Sequence, residues 1–147
     1  ALEFIVGRCS DIKAKIVQQD EREEMGIRTI LNFGHTIGHA VEAATGYKVY
    51  NHGEAIALGM LLACDISRRM GLVNNAISER VENLIKASGL PVRIKKATVH
   101  GIINAHYRDK KFIGAKNRFV LLRDIGKTKI VENIPVKIIK EALKKRI

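Results

Sequence analysis

Three histidines, His35, His39 and His52, stand within eighteen residues of one another. Imidazole is the commonest metal ligand and the side chain that most readily exchanges protons near neutrality, so the trio suits a divalent cation or acid–base work. Catalytic zinc typically takes three protein ligands and keeps a fourth position for water or substrate. The run H-T-I-G-H has the helical spacing of the zinc-peptidase motif H-E-x-x-H. Thr36 stands where that motif needs its glutamate base, which removes the peptidase reading at its chemical centre. His52 opens a second helix, where the helix dipole disfavours imidazolium and leaves the neutral, ligating ring. The alternative is a helix-face pair beside an unrelated capping histidine, and spacing alone leaves both open.

These side chains need elements to position them. A helix is expected from Arg28 to Ala44, stopped by Gly46. On it Arg28, Asn32, His35 and His39 fall at steps of four, three and four and share one stripe. A polar outer face is the ordinary account of such a stripe. Gly34 and Gly38 lie within the same helix, each costing about 1 kcal/mol against alanine. Their missing bulk calls for close approach of another backbone or a ligand, and Gly53 and Gly59 permit the same on the next helix. That next helix, Ala55 to Met70, is apolar almost all round and should be buried.

Leu2 to Gln19 is the first expected helix, with Ile5, Cys9, Ile12 and Ile16 at helical steps. Lys13 falls inside this pattern, where a lysine ordinarily snorkels to water. Asp20 to Gly26 reads as an acidic loop, either solvated or able to supply an acid or base. Further helices are expected over Asn75 to Ser88, over Ala97 to Tyr107, and from Pro135 onward with a basic face. Val92-Arg93-Ile94 is strand-like, Arg108 to Asn117 is a basic loop, and Arg118 to Leu122 with Lys127 to Val131 suggests a β-hairpin. The expected fold class is mainly α, one helical domain with a small β-hairpin.

With 147 residues, 46% hydrophobic and 28% charged, the chain has the balance of a single soluble domain. It has no run able to span a bilayer and no export signal, which places it in the cytoplasm without a membrane partner. Cys9 and Cys64 lack C-x-x-C spacing and are expected to be reduced, with a disulfide the lesser alternative. The +11 charge attracts anions but does not choose among them. Four Phe, three Tyr and no Trp supply little for stacking single-stranded nucleic acid. There is no glycine-rich dinucleotide or phosphate loop, so a nucleotide would need another domain. Lys13, Arg28, Asn32 and the lysines of Arg108 to Lys111 could ring a metal with anion-binding groups, which suits a substrate carrying phosphate and carboxylate.

The block L-N-F-G-H-T-I-G-H-A-V-E, followed by H-G-E-A-I-A-L-G-M, resembles the signature of the 3-dehydroquinate synthase family. K-A-K-I-V-Q-Q-D-E-R-E upstream and D-K-K-F-I-G-A-K-N-R-F-V-L-L-R-D-I-G downstream resemble the same family, so the likeness runs from Lys13 to Gly126. It implies conversion of 3-deoxy-arabino-heptulosonate 7-phosphate to 3-dehydroquinate and phosphate in the shikimate pathway, with a zinc or cobalt ion and NAD. It implies His35 and His52 as metal ligands, His39 as a catalytic acid–base group or relay, Glu23 as a catalytic proton acceptor, and Lys13, Arg28, Asn32, Lys110 and Lys111 around the substrate. Between Glu23 and Glu24, and between Lys110 and Lys111, the choice stays open. The family's nucleotide-binding N-terminal domain and its upstream glutamate ligand have no match in this sequence, so the chain resembles the C-terminal domain alone, inactive by itself. The full-length enzyme is expected to be a homodimer. Two other readings stand beside it. One is a related sugar-phosphate cyclase of deoxy-inosose or valiolone synthase type. The other is a basic helical nucleic-acid-binding module using the K-K-R tail.

Overall fold

A computed structural model describes residues 2–22, 26–108 and 117–147. The chain forms two compact units, residues 1–32 and 33–147.

The first unit holds α1, Leu2–Gln19, and a short 3₁₀ segment, Ile27–Asn32. The expected first helix is present with the expected ends. It has no fully buried residue, and Leu2, Phe4, Ile5 and Val6 are exposed. Arg8 and Lys15 both pair with Asp11 along its surface. Arg28 donates through its backbone N–H to Asp20 Oδ2 at 3.3 Å and through its guanidinium to the Glu21 carbonyl at 3.1 Å.

The second unit contains α2, His35–Ala44; α3, His52–Arg69; α4, Asn75–Ala87; α5, Val99–Arg108; strands β1, Arg118–Asp124, and β2, Lys127–Glu132; and α6, Val136–Arg146. Its centre is α3. Asn51 accepts from the Glu54 N–H, and Glu54 Oε2 accepts from the Asn51 N–H, each at 2.9 Å. This reciprocal cap satisfies two backbone donors that a helix start leaves free. Leu58, Leu62 and Ile66 of α3 then pack with Ile37 and Val41 of α2, Ile102 of α5, Leu121 of β1 and Leu143 of α6.

The expected continuous helix from Arg28 to Ala44 is not formed. It breaks at Phe33 and Gly34, and Gly34 takes φ +87°, a left-handed conformation that favours glycine. The physical reason lies in α3. A Cβ on Gly34 would stand 2.7 Å from Met60 N and 2.8 Å from the Ile56 carbonyl oxygen. The stripe joining Arg28 and Asn32 to His35 and His39 on one helix face therefore does not exist. What the glycines permit is another backbone, not a ligand: a Cβ on Gly59 would run into the Gly34 carbonyl, and one on Gly38 would lie 3.1 Å from the Ala55 carbonyl.

The hairpin is antiparallel, with Phe119 opposite Val131 and a bulge between Leu122 and Asp124. The Leu122 N–H donates to Ser67 Oγ at 3.0 Å, pinning β1 to α3. Val92-Arg93-Ile94 is not a strand. Ile94 is buried and its N–H donates to the Arg146 carbonyl at 2.7 Å, an isolated bond with no ladder around it.

The expected basic face of the last helix is only partly solvated. Arg146 Nε meets Asp65 Oδ2 at 2.6 Å, its Nη2 meets Glu82 Oε2 at 2.8 Å, and Lys145 reaches Asp65 Oδ1 at 2.7 Å. Asp65 and Arg146 are buried, so these cations neutralise an interior acid and tie α6 to α3 and α4. Cys9 and Cys64 are both free thiols, the first exposed and the second in the core. Among the described residues no helix is long and apolar enough to cross a membrane.

Candidate metal centre

Two glycine-mediated contacts decide where the histidines lie. Because Gly34 and Gly38 press against α3, the first turns of α2 run beside the start of α3. His35 and His39 occupy successive turns of α2, and His52 is the first residue of α3. The ring centroids of His35 and His39 are 5.5 Å apart, those of His35 and His52 also 5.5 Å, and those of His39 and His52 5.7 Å. Three imidazoles thus share one corner of the second unit.

Glu42 completes the cluster. It lies on α2, three residues beyond His39, and is buried. Its Oε1 is 3.2 Å from His52 Nδ1. Ligand atoms of His39, Glu42 and His52 all fall within 4.8 Å of one another. Sequence reasoning passed over Glu42, although H-x-x-x-H-x-x-E places it on the same helix face as His35 and His39.

The donor set fits a divalent cation. His35 Nδ1 is buried and makes no hydrogen bond, an unpaired polar atom that ordinarily carries a cost. Burial is the main cause that pushes the His35 imidazolium below its ordinary pKa, with His39 and His52 adding to it and the Phe33 backbone and Glu42 opposing. The result is a neutral ring with a lone pair to offer. Neutral imidazoles suit zinc and neighbouring transition metals, and a carboxylate beside them can either join as a ligand or hold an imidazole through its other nitrogen. His39 is more exposed than His35, so solvent can exchange protons with it.

The remaining site candidates are placed as follows. Lys13 is exposed on α1, Arg28 is half-buried in the 3₁₀ segment, and Asn32 ends that segment in an exposed position. All three belong to the first unit. Glu23, Lys110 and Lys111, with the alternative Glu24, lie outside the described residues.

The sequence profile described as 3-dehydroquinate synthase C-terminal matches residues 1–112. The chain is 46% identical over 129 residues to the 3-dehydroquinate synthase of Thermoanaerobacter pseudethanolicus, covering 88% of this chain and 36% of that protein. It is 46% identical over 135 residues to that of Acidithiobacillus ferrooxidans, covering 92% and 36%. Among solved structures it resembles a 2-deoxy-scyllo-inosose synthase complexed with carbaglucose-6-phosphate, NAD+ and Co2+. That match has a TM-score of 0.81 and 26% identity over 99% of this chain and 41% of the other. The fold is also that of a 2-epi-5-epi-valiolone synthase from Streptomyces hygroscopicus with NAD+ and Zn2+ bound, at a TM-score of 0.75 and 23% identity over 89% and 36%. The chain spans about a third of the length of the curated relatives it matches. On the profile match and these identities, the chain belongs to the 3-dehydroquinate synthase C-terminal domain family.

Proposed function

We propose that this chain is the metal- and substrate-binding part of a 3-dehydroquinate synthase. The observation that carries the reading is the mutual approach of His35, His39 and His52 at 5.5 to 5.7 Å across two helices. In this reading His35 and His52 hold a zinc or cobalt ion, and the upstream glutamate of the family joins them from the longer protein. The ion, when bound, supplies polarisation of a substrate oxygen. His39 exchanges protons with the substrate, and its exposure supports that role. Glu23 is the second acid–base group.

Lys13, Arg28, Asn32, Lys110 and Lys111 bind the substrate, 3-deoxy-arabino-heptulosonate 7-phosphate. Fixed cations steady an enolate and the departing phosphate, which suits the +11 charge of the chain. The NAD that the hydride steps require binds a nucleotide-binding domain outside these residues. Products are 3-dehydroquinate and phosphate, the full-length protein works as a homodimer in the cytoplasm, and the chain alone does not turn over.

A related sugar-phosphate cyclase is the second reading, favoured by the structural likeness to 2-deoxy-scyllo-inosose synthase. The 46% identity to dehydroquinate synthases against 26% to that cyclase supports the first. The nucleic-acid reading loses two of its tail cations, Lys145 and Arg146, to Asp65.

The deciding experiment joins this chain to its full-length protein and follows phosphate release and product identity. Release of phosphate from the heptulosonate, with 3-dehydroquinate formed and both abolished by His52→Ala, is expected. A carbocycle formed from a different sugar phosphate, with none from the heptulosonate, would replace this reading by the second.

A further inference from the structure

His52 is pinned by Glu42. Its side chain is 59% exposed, whereas that of Glu42 is only 11% exposed. An exposed imidazole at a helix start has wide rotational freedom, which the Glu42 contact restrains, and two features fix the backbones on either side of that contact. The His52 backbone is set by the reciprocal cap of Asn51 and Glu54. The Glu42 backbone is set by the end of α2, where its carbonyl accepts from the Tyr47 N–H at 2.8 Å and the Thr45 hydroxyl at 3.1 Å. Gly46 and Tyr47 both take left-handed φ, +63° and +57°, so the turn that closes α2 doubles back tightly. Two rigid supports thus present one carboxylate oxygen to one ring nitrogen at 3.2 Å.

The chemistry of that contact is asymmetric. A carboxylate oxygen has no hydrogen to give, so an attractive contact requires the proton on His52 Nδ1. The lone pair of the neutral ring is then on Nε2. Histidines that bind metals commonly donate their other ring N–H to a carboxylate, which fixes both tautomer and ring direction.

We propose that Glu42 is a positioning residue that orients His52 through Nδ1, so that Nε2 is the nitrogen offered to the cation. The proposal rests on the metal reading above only for the identity of what Nε2 meets. Glu42 itself stays outside the ligand set and acts only through the ring it holds.

Two measurements on the full chain separate this from a direct ligand role. The first is histidine side-chain nitrogen NMR of the metal-free protein. His52 protonated on Nδ1 supports the proposal, and His52 protonated on Nε2 overturns it. This needs no variant and no metal. The second is calorimetric titration with zinc alone, with circular dichroism to verify folding. Glu42→Ala should weaken zinc by about 10–100-fold. Glu42→Gln keeps an acceptor oxygen for Nδ1–H and should recover most of the loss. Equal loss in both variants would make Glu42 a ligand and overturn the proposal, as would no loss in Glu42→Ala. Failure of the wild-type chain to take up zinc would strike the metal reading, while the tautomer would still decide the role of Glu42.

Discussion

Gly59→Ala is the perturbation that most directly strains the scaffold beneath the histidines. The added methyl would run into the Gly34 carbonyl and lie 2.8 Å from Gly38 N. Both obstacles are backbone, so no side chain can rotate away. Restoring ordinary contact requires α2 and α3 to part by roughly an ångström, and overpacking of this kind costs about 1–3 kcal/mol. Alanine recovers about 1 kcal/mol of helix propensity at the same position. With backbone on both sides the cost falls at the upper end of that range, so the net expectation is a loss of about 2 kcal/mol, or about 4–8 °C in Tm for a domain of this size. Because His35 and His39 ride on α2 and His52 on α3, zinc affinity should fall together with stability. Gly7→Ala is the control, since a Cβ there meets nothing within 4 Å. It should be neutral or slightly stabilising. Thermal unfolding by circular dichroism and zinc calorimetry read both effects. A Gly59→Ala protein as stable as wild type, with unchanged zinc affinity, would refute the reasoning.

Other expectations follow from single contacts. Arg146→Met leaves Asp65 buried against Lys145 alone and should cost about 3–5 kcal/mol in urea unfolding. Adding Asp65→Leu to Arg146→Met should restore much of that loss, and failure to do so would mean packing rather than charge dominates. Burial is the main cause that pushes the Cys64 thiol up to about 12, so a thiol reagent at pH 8 should modify Cys9 quickly and Cys64 only on unfolding. Equal rates at both would contradict the buried position. In the metal-free chain His35 should titrate below the ordinary imidazole value of 6.5, read by proton NMR. Its folded pKa is depressed, so the unfolded chain takes the proton first. The stability it supports is complete above pH 6.5 and is lost as pH falls from there through the lowered value. A midpoint at or above 6.5 would contradict its burial.

The helices and the hairpin are legible because their apolar periods and stop signals are local. The pairing of His35 with His39 is legible for the same reason, since i,i+4 spacing survives on α2. The break at Gly34 is not, because helix geometry along residues 28–44 is satisfied until Gly59 arrives from another helix. The interior role of Arg146 escapes a reading that treats K-K-R as a solvated run. Its partner Asp65 is 81 residues away, although a lone aspartate inside an apolar helix was a visible signal. Glu42 is hidden differently: an acid near a helix end looks like surface until the next helix brings His52 to it.

The central claim is that side chains at positions 35 and 52 meet on one cation. Zinc calorimetry on the full-length protein, as wild type, His35→Ala, His52→Ala and the control His100→Ala, tests it most directly. One zinc per chain is expected, bound at least about tenfold more weakly by each of the first two variants and unchanged in the control. Tight stoichiometric zinc that survives both His35→Ala and His52→Ala would contradict it.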